Sequence, residues 1–495
     1  MTPVRRITAW VATTVAGIAA ILLVARAWWG PIEVAGVWIR SPLTLETSFA
    51  LAAGALLFLA CLKNTGASMV QAGRNLPLLL LTLVVTAAAF FPDLRDPFIS
   101  DDYILVGQAT LHPAAIGGNF VKPGGDGSYR PLTYAWYGLI HSMEGENPLA
   151  WHATILALHL LNCALLFAVA RALWNSALVS FTTALLFGIH GTRPEVVAWT
   201  SDNSDLLACA FSLAAAWFVF GRWRMHPWLL TGLSLASLTT AILCKESAYA
   251  APVIILAAAA AAERLPDGRI RIFVPGSVLV CVALFAYRWA LFKGPGGYVD
   301  PATGRPAILG FHPLSGLKAL CLRIWAILLF PVNWAEPTGM GVALGLLAGC
   351  AAVLFLLRGG KGLRPRLALA LVTATALAMI PAIHLALVGD SGLGSRVFYI
   401  PAIPFFLLAG HLVAAAKTKK RAVWAVSALA ISAMVILEHD LHFWHRAAAE
   451  ADGYCDAIAR GYPPPATNVL TGIVSFRNGL PACVEQKRRR AARPR

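Results

Sequence analysis

Leu76-Pro77-Leu78-Leu79-Leu80-Leu81-Thr82-Leu83-Val84-Val85-Thr86-Ala87-Ala88-Ala89-Phe90-Phe91 is an uncharged run that gives way, after one short stretch, to Ser100-Asp101-Asp102. The run approaches the length of a bilayer crossing. A carboxylate pair facing lipid would be costly, so a doublet at the mouth of such a run marks a purpose at the water boundary. The rest of the chain repeats the alternation of long apolar runs and short polar breaks. Its 495 residues are 58% hydrophobic and only 13% charged, with a mean hydropathy of +0.68. That composition excludes a soluble domain with an ordinary surface and specifies a polytopic membrane protein.

Spans are expected near 7–29, 43–62, 76–92, 150–174, 177–190, 205–221, 228–244, 247–262, 272–292, 341–357, 367–388, 399–416 and 421–438. The first follows Arg5-Arg6 and is too long for a signal-peptide core, so it reads as a retained anchor. A further stretch, 315–335, holds Lys318 and Arg323 and ends in Phe330-Pro331-Val332-Asn333-Trp334, a poor profile for a crossing that faces lipid.

The net charge of +16 is distributed as a membrane protein distributes it. With 315–335 not crossing, the basic breaks all fall on one side: Lys63 and Arg74, Arg171, Arg222 and Arg224, Arg264 with Arg269 and Arg271, Arg358 to Arg366, and Lys417 to Arg421. That side is the cytoplasm by the positive-inside rule, and no basic groove interleaved with aromatics points to nucleic acid. The expected fold is an all-α polytopic bundle of about thirteen transmembrane helices, N-terminus inside, with a long outer first loop over 93–149. The basic Gln486-Lys487-Arg488-Arg489-Arg490 would then lie outside, too far from the last span to weigh on orientation.

On that outer side fall Asp101, Asp102, Arg130, His190, Glu195, Asp202, Asp205, Lys245, Glu246, Asp390 and Arg396. Seven cysteines, Cys61, Cys163, Cys209, Cys244, Cys281, Cys321 and Cys350, sit in apolar runs as small hydrophobes. Cys455 and Cys483 lie in the outer tail and are expected to form a disulfide there. The sequence holds no CxxC metal spacing and no GxxxxGK[ST] or GxGxxG nucleotide loop.

Phe98-Ile99-Ser100-Asp101-Asp102-Tyr103, Tyr129-Arg130-Pro131-Leu132-Thr133, Asn147-Pro148-Leu149-Ala150-Trp151-His152 and Leu158-His159-Leu160-Leu161-Asn162 follow in order. After them come His190-Gly191-Thr192-Arg193-Pro194-Glu195-Val196-Val197-Ala198-Trp199, Ser204-Asp205-Leu206-Leu207, Cys244-Lys245-Glu246 and Ser395-Arg396-Val397-Phe398-Tyr399-Ile400-Pro401. This succession resembles the GT-C superfamily of integral-membrane glycosyltransferases, most of all the branch of protein O-mannosyltransferases and transmembrane tetratricopeptide-repeat O-mannosyltransferases. The resemblance covers roughly 76–450. It divides the chain into additional N-terminal transmembrane helices (1–75), a GT-C-like catalytic membrane domain (76–438) and a periplasmic C-terminal tail (439–495). The family has one span before the acidic loop where this chain has three, and the tail shows no period near 34 residues.

The resemblance implies transfer, with inversion, of a sugar from a polyprenyl-phosphate donor to a protein, lipid or glycan acceptor. It places the chain in a bacterial inner membrane with its site on the periplasmic side. A lipid-linked glycan polymerase or ligase is the alternative within that chemistry, and a transporter or flippase outside it. Transfer needs a base for the acceptor proton and cations for the leaving phosphate. Asp101 or Asp102 suits the base, and Ser100-Asp101-Asp102 equally suits the start of a helix near Tyr103.

Arg396 suits the donor phosphate through its bidentate fork, or snorkels to headgroups. Lys245 and Glu246 are a phosphate-binding lysine with its orienting carboxylate, or a neutralising pair at a helix break. Arg130 binds donor or acceptor, or pairs with the aspartates, and Asp205 supports the site. His190 and Glu195 take a metal or phosphate role, or form a turn. A divalent metal, Mg or Mn, is a candidate cofactor, with Asp102 and His190 as candidate ligands. His159 and Asn162 are expected to hydrogen-bond between helices, and 439–446 to form a solvated membrane-surface helix.

Overall fold

The computed structural model describes residues 32–34, 37–39, 69–109, 113–122, 124, 127–294, 296, 313–329, 331, 364–380, 394–465 and 476–492. The expected spans 7–29, 43–62 and 341–357 lie outside the described residues, as does Asp390. Apart from a short antiparallel hairpin, β1 (Ile32–Val34) with β2 (Val37–Ile39), the described residues form helices and turns.

The helices are α1 (Met69–Phe90), α2 (Asp102–Gln108), α3 (Pro113–Val121), α4 (Pro131–Glu144), α5 (Pro148–Trp174), α6 (Ala177–Gly188), α7 (Pro194–Ala198) and α8 (Asn203–Phe220). There follow α9 (Pro227–Cys244), α10 (Ala251–Ala261), α11 (Gly268–Phe292), α12 (Pro313–Lys318), α13 (Ile324–Leu329), α14 (Pro365–Met379), α15 (Ile403–Ala414), α16 (Lys419–Ala459) and α17 (Phe476–Ala492). Local chemistry sets many of the starts. Proline opens α4, α5, α7, α9 and α14, where its missing N–H costs nothing. Ser176, Asp267 and Thr418 cap α6, α11 and α16 through their side chains.

Among the described residues, five helical stretches are long and apolar enough to cross a membrane: Pro148–Trp174, Thr200–Phe220, Pro227–Cys244, Gly268–Phe292 and Lys419–Ala459. The stretches α5 and α8 are mostly buried by other helices, whereas α11 turns most of its apolar surface outward, as a lipid-facing helix does. In the described part of the 315–335 segment, helix runs over 313–329, interrupted by a π-turn at Ala319–Arg323.

Close approach rests on small residues, because lipid gives helices little hydrophobic reason to associate. Gly410 of α15 lies on α6, where a Cβ would stand 2.8 Å from the Val179 carbonyl oxygen. Inside the bundle His159 Nδ1 pairs with Tyr399 Oη at 2.7 Å and its Nε2 with the Gly188 carbonyl at 2.9 Å. Asn162 Nδ2 donates to the Leu206 carbonyl (3.0 Å) and to Tyr399 Oη (3.2 Å). These polar bonds stitch α5 to α6, to α8 and to the turn before α15.

Helix α16 departs from the sequence reading. Its 41 residues make a rod of roughly 60 Å, about twice the bilayer core, so the half after residue 439 continues beyond the apolar run as one helix. It is not a solvated surface helix: Asp440 and Trp444 are fully buried. It packs on α7 through Trp444, whose ring stands 6.1 Å from that of Trp199, with the buried Ala447, Ala448 and Ala451 on the following turns. Helix α17 returns along it, and Cys455 and Cys483 are joined with their Cα atoms 6.0 Å apart. The disulfide packs with Phe98, Tyr103 and Trp151, so α17 covers the loop that carries the acidic doublet.

Gly410→Leu should destabilise the bundle by about 1–3 kcal/mol through overpacking against α6. Gly232→Leu, where a Cβ meets nothing within 4 Å, should leave stability near wild type. Thermal unfolding of the two variants in detergent checks this, and equal midpoints would reject the α6–α15 contact.

Candidate active site

The loop after α1 descends through a 3-10 turn, Pro92–Arg95, into Ser100, whose φ of 56° places a non-glycine residue in the left-handed region. That turn separates the two aspartates. Asp101 occupies the N-cap position of α2 without a side-chain capping bond and stays partly exposed. Asp102 is wholly buried. Its Oδ2 accepts from the Ile99 backbone N–H (3.0 Å), and its Oδ1 accepts from the Ser201 backbone N–H (2.7 Å) and Ser201 Oγ (2.5 Å). Burial pushes the Asp102 carboxyl up to about 6, against the opposing pull of these donors.

Ser201 belongs to a second 3-10 turn, Thr200–Asp202, at the head of α8. Tyr137 of α4 donates to the Ser201 carbonyl at 2.5 Å. The next residue, Asp202, accepts from Lys245 Nζ through Oδ1 at 3.1 Å, and Lys245 also donates to Asp205 Oδ2. Lys245 sits where α9 ends and the 3-10 turn Glu246–Ala250 begins, and Thr133 of α4 fixes that end by donating to the Cys244 carbonyl at 2.9 Å.

Lys245 and Glu246 do not pair with one another. Their backbone break sends the side chains apart: Glu246 takes both arms of Arg130, Nε to Oε2 at 3.1 Å and Nη2 to Oε1 at 2.6 Å. Arg130 is thus held by the Glu246 carboxylate from across the helix break.

Arg396 lies in a fourth break, the 3-10 turn Ser395–Phe398. Its backbone N–H donates to Glu195 Oε2 at 2.7 Å, its Nε stands 3.7 Å from Glu195 Oε1, and its guanidinium sits 5.1 Å over the Trp199 ring. Burial raises the Glu195 carboxyl, and Arg396 opposes that rise. The Arg396 side chain is 26% exposed, more than the 11% of Lys245. Lys245 feels the charges of both Arg130 and Arg396, and the Tyr137 hydroxyl feels Asp202, Arg130 and Asp102. The acidic loop and the three cations thus share one end of the bundle.

His190 stands apart from this arrangement. Its Nδ1 pairs with Thr192 Oγ1 (2.9 Å) and its Nε2 with the Leu328 carbonyl (3.1 Å). With both nitrogens engaged and both Asp102 oxygens bonded to protein donors, this geometry does not bring the two together as metal ligands. Next to His190, Arg193 is fully buried, its guanidinium 4.5 Å over Phe187 and 4.7 Å over Tyr399.

Reading the sequence misses Ser201, which holds Asp102, and places Asp202 on the outer side without giving it a role, although it shares Lys245 with Asp205. The spacing of Asp202 and Asp205, one turn apart at a helix start, is the signal that could have given Asp202 that role.

The opposite end is basic. Arg264 donates to the Phe220 carbonyl (2.9 Å), Arg269 to the Gly221 carbonyl (2.7 Å), and Arg364 to Glu263 (2.7 Å).

No family model matches the chain. Protein O-mannosyl-transferase Tmtc1 of Drosophila melanogaster is 32% identical over 139 residues, which cover 27% of this chain and 16% of that protein. Protein O-mannosyl-transferase TMTC1 of Homo sapiens is 35% identical over 89 residues, 18% of this chain and 10% of that protein. Protein O-mannosyl-transferase Tmtc2 of Drosophila melanogaster is 32% identical over 135 residues, 26% of this chain and 14% of that protein. The chain thus matches no more than about a sixth of the length of these curated relatives. Over a part of its length it is a membrane protein related to glycosyltransferases.

Proposed function

We propose that this protein is a membrane glycosyltransferase that moves a sugar from a polyprenyl-phosphate donor to a hydroxyl of a protein acceptor, with inversion, at the extracytoplasmic face of a bacterial inner membrane. One observation carries the reading: a partly exposed carboxylate, Asp101, stands beside a buried one, Asp102, at the same end of the bundle as Lys245, Arg130 and Arg396. The names of the partial relatives support the sugar and the protein acceptor. The basic residues at the other end of the bundle support an outward-facing site.

In the reaction Asp101 takes the proton of the acceptor hydroxyl as its oxygen attacks the anomeric carbon. The bond from that carbon to the phosphate oxygen breaks, and the negative charge stays on the carrier phosphate. Arg396, oriented by Glu195 and stacked on Trp199, meets that charge with a planar fork at the membrane surface. Lys245 supplies a second positive charge from deeper in the site. Asp102 is a positioning residue: it accepts only from the protein and fixes the loop on which Asp101 rides.

Reconstituted with a polyprenyl-phosphate sugar and a Ser/Thr-containing acceptor, Asp101→Asn should lose transfer by about 10²–10⁴-fold, the usual worth of a positioned base. A wild-type rate in that variant would remove the assigned base. A lipid-linked glycan accepted in preference to peptide would turn the reading toward a ligase.

The acidic limb of the rate profile should fall near pH 6, where Asp102 takes up a proton and loses an acceptor site for Ile99 or Ser201. Its stability linkage runs the other way. A carboxyl raised in the folded state contributes stability that is fully present below about pH 4 and is lost as pH rises through about 6. Asp102→Asn should therefore flatten the acidic limb, and an unchanged limb in that variant would assign the titration elsewhere.

A further inference from the structure

The 3-10 turn Pro92–Arg95 and the outer half of α16 enclose a second set of ligating atoms, apart from the acidic doublet. Asp93 Oδ1 stands 3.4 Å from His445 Nε2, and Asp96 Oδ2 stands 2.5 Å from His445 Nδ1. One ligand atom from each of these three residues lies within 4.8 Å of the others. An imidazolium would pair with Asp96 through Nδ1 and reach Asp93 through Nε2 only at 3.4 Å. Asp93 is only 2% exposed, and neither of its carboxylate oxygens has a well-formed hydrogen bond. A buried carboxylate with so few good donors around it calls for a positive charge. Glu438, two turns earlier on α16, adds negative charge that both Asp93 and His445 feel.

The spacing fits a cation better than a direct bond. Two ligands each about 2.0–2.1 Å from a tetrahedral metal stand roughly 3.3 Å apart, close to the 3.4 Å between Asp93 Oδ1 and His445 Nε2. Asp96 on the other ring nitrogen is the carboxylate that orients a metal-bound imidazole and fixes its tautomer. A further nitrogen donor lies in the same neighbourhood: His152 is 2% exposed, neither ring nitrogen makes a well-formed hydrogen bond, and it feels the charges of Asp96 and His445. The His445 side chain is 27% exposed, which leaves a path for an ion.

We propose that Asp93 and His445, the latter oriented by Asp96, bind a divalent transition-metal ion of the zinc class that ties the outer half of α16 to the loop bearing Asp101 and Asp102. An imidazole nitrogen with carboxylate oxygens selects such an ion over magnesium or calcium, which take oxygen alone. The site is distinct from Asp102 and His190, and its occupancy does not depend on which reaction the doublet performs.

The test uses the untagged full-length protein in detergent, stripped with a chelator, dialysed against zinc or cobalt and measured for metal content. Wild type should retain about one ion per chain, and its cobalt form should show the visible absorption of a nitrogen- and oxygen-ligated site. His445→Ala and Asp93→Asn should each lose that ion and that absorption, while His226→Ala, an exposed histidine outside the cluster, should keep both. Should the two cluster variants fail to fold, wild type alone decides: added zinc should raise its unfolding midpoint and a chelator should lower it again. Wild type without bound metal or zinc-dependent stability would overturn the proposal, as would wild-type metal content in folded His445→Ala.

Discussion

Lys245 between Asp202 and Asp205 is the contact from which the rest of the site hangs. An ammonium taken out of water is tolerated only with carboxylates against it, and removing one partner of such a buried pair leaves an uncompensated charge worth about 3–5 kcal/mol. The triad fixes the end of α9 against the start of α8. Because Ser201 precedes Asp202, the same fixed turn presents the backbone N–H and hydroxyl that hold Asp102. From Lys245 the connection to the acidic loop runs through Asp202, the adjoining backbone and Ser201, and the geometry of the doublet is inherited from a cation on another helix.

Regular helix would not deliver these side chains to one place. Asp202, Lys245, Glu246 and Arg396 sit in or beside the 3-10 turns Thr200–Asp202, Glu246–Ala250 and Ser395–Phe398, Asp93 sits in a fourth, Pro92–Arg95, and Asp101 and Arg130 stand at helix N-caps. Each turn interrupts regular helix; Thr200–Asp202 lies mostly inside the protein, whereas Pro92–Arg95 buries Asp93 and leaves Pro92 and Arg95 exposed. Uninterrupted helices thus carry the apolar faces and close contacts such as that of Gly410, and most of the charged groups gather at the interruptions and helix ends.

Much of the helical layout was legible in the sequence because lipid enforces a simple rule of length and apolarity. The runs around Leu158, Leu213, Leu238 and Leu284 became helices α5, α8, α9 and α11. Partnership was not legible. Lys245 and Glu246 are neighbours in sequence, and charge alone pairs them; the extended φ and ψ of Lys245 at the helix break send them to Asp202 and Asp205 on one side and to Arg130 on the other. The outer half of α16 defeats a reading of the sequence for a related reason. His439 and His442 are exposed as expected, but Asp440 and Trp444 on the same helix are buried, Trp444 against Trp199, and that packing is not legible from the run of polar residues.

Two adjacent carboxylates gain from unequal surroundings. Were Asp101 and Asp102 equally exposed, each ionised group would oppose the other and neither would have a defined direction. The left-handed turn at Ser100 puts Asp102 inward, where three donors from the protein occupy its oxygens, and leaves Asp101 at the rim of α2. Inward, a carboxylate raised by burial acts on the loop that holds it, while its neighbour stays partly exposed. The division needs the loop to stay closed, and the packing of the Cys455–Cys483 crosslink on Phe98 and Tyr103 is what closes it, so the helix farthest along the chain stabilises the residues that precede α2.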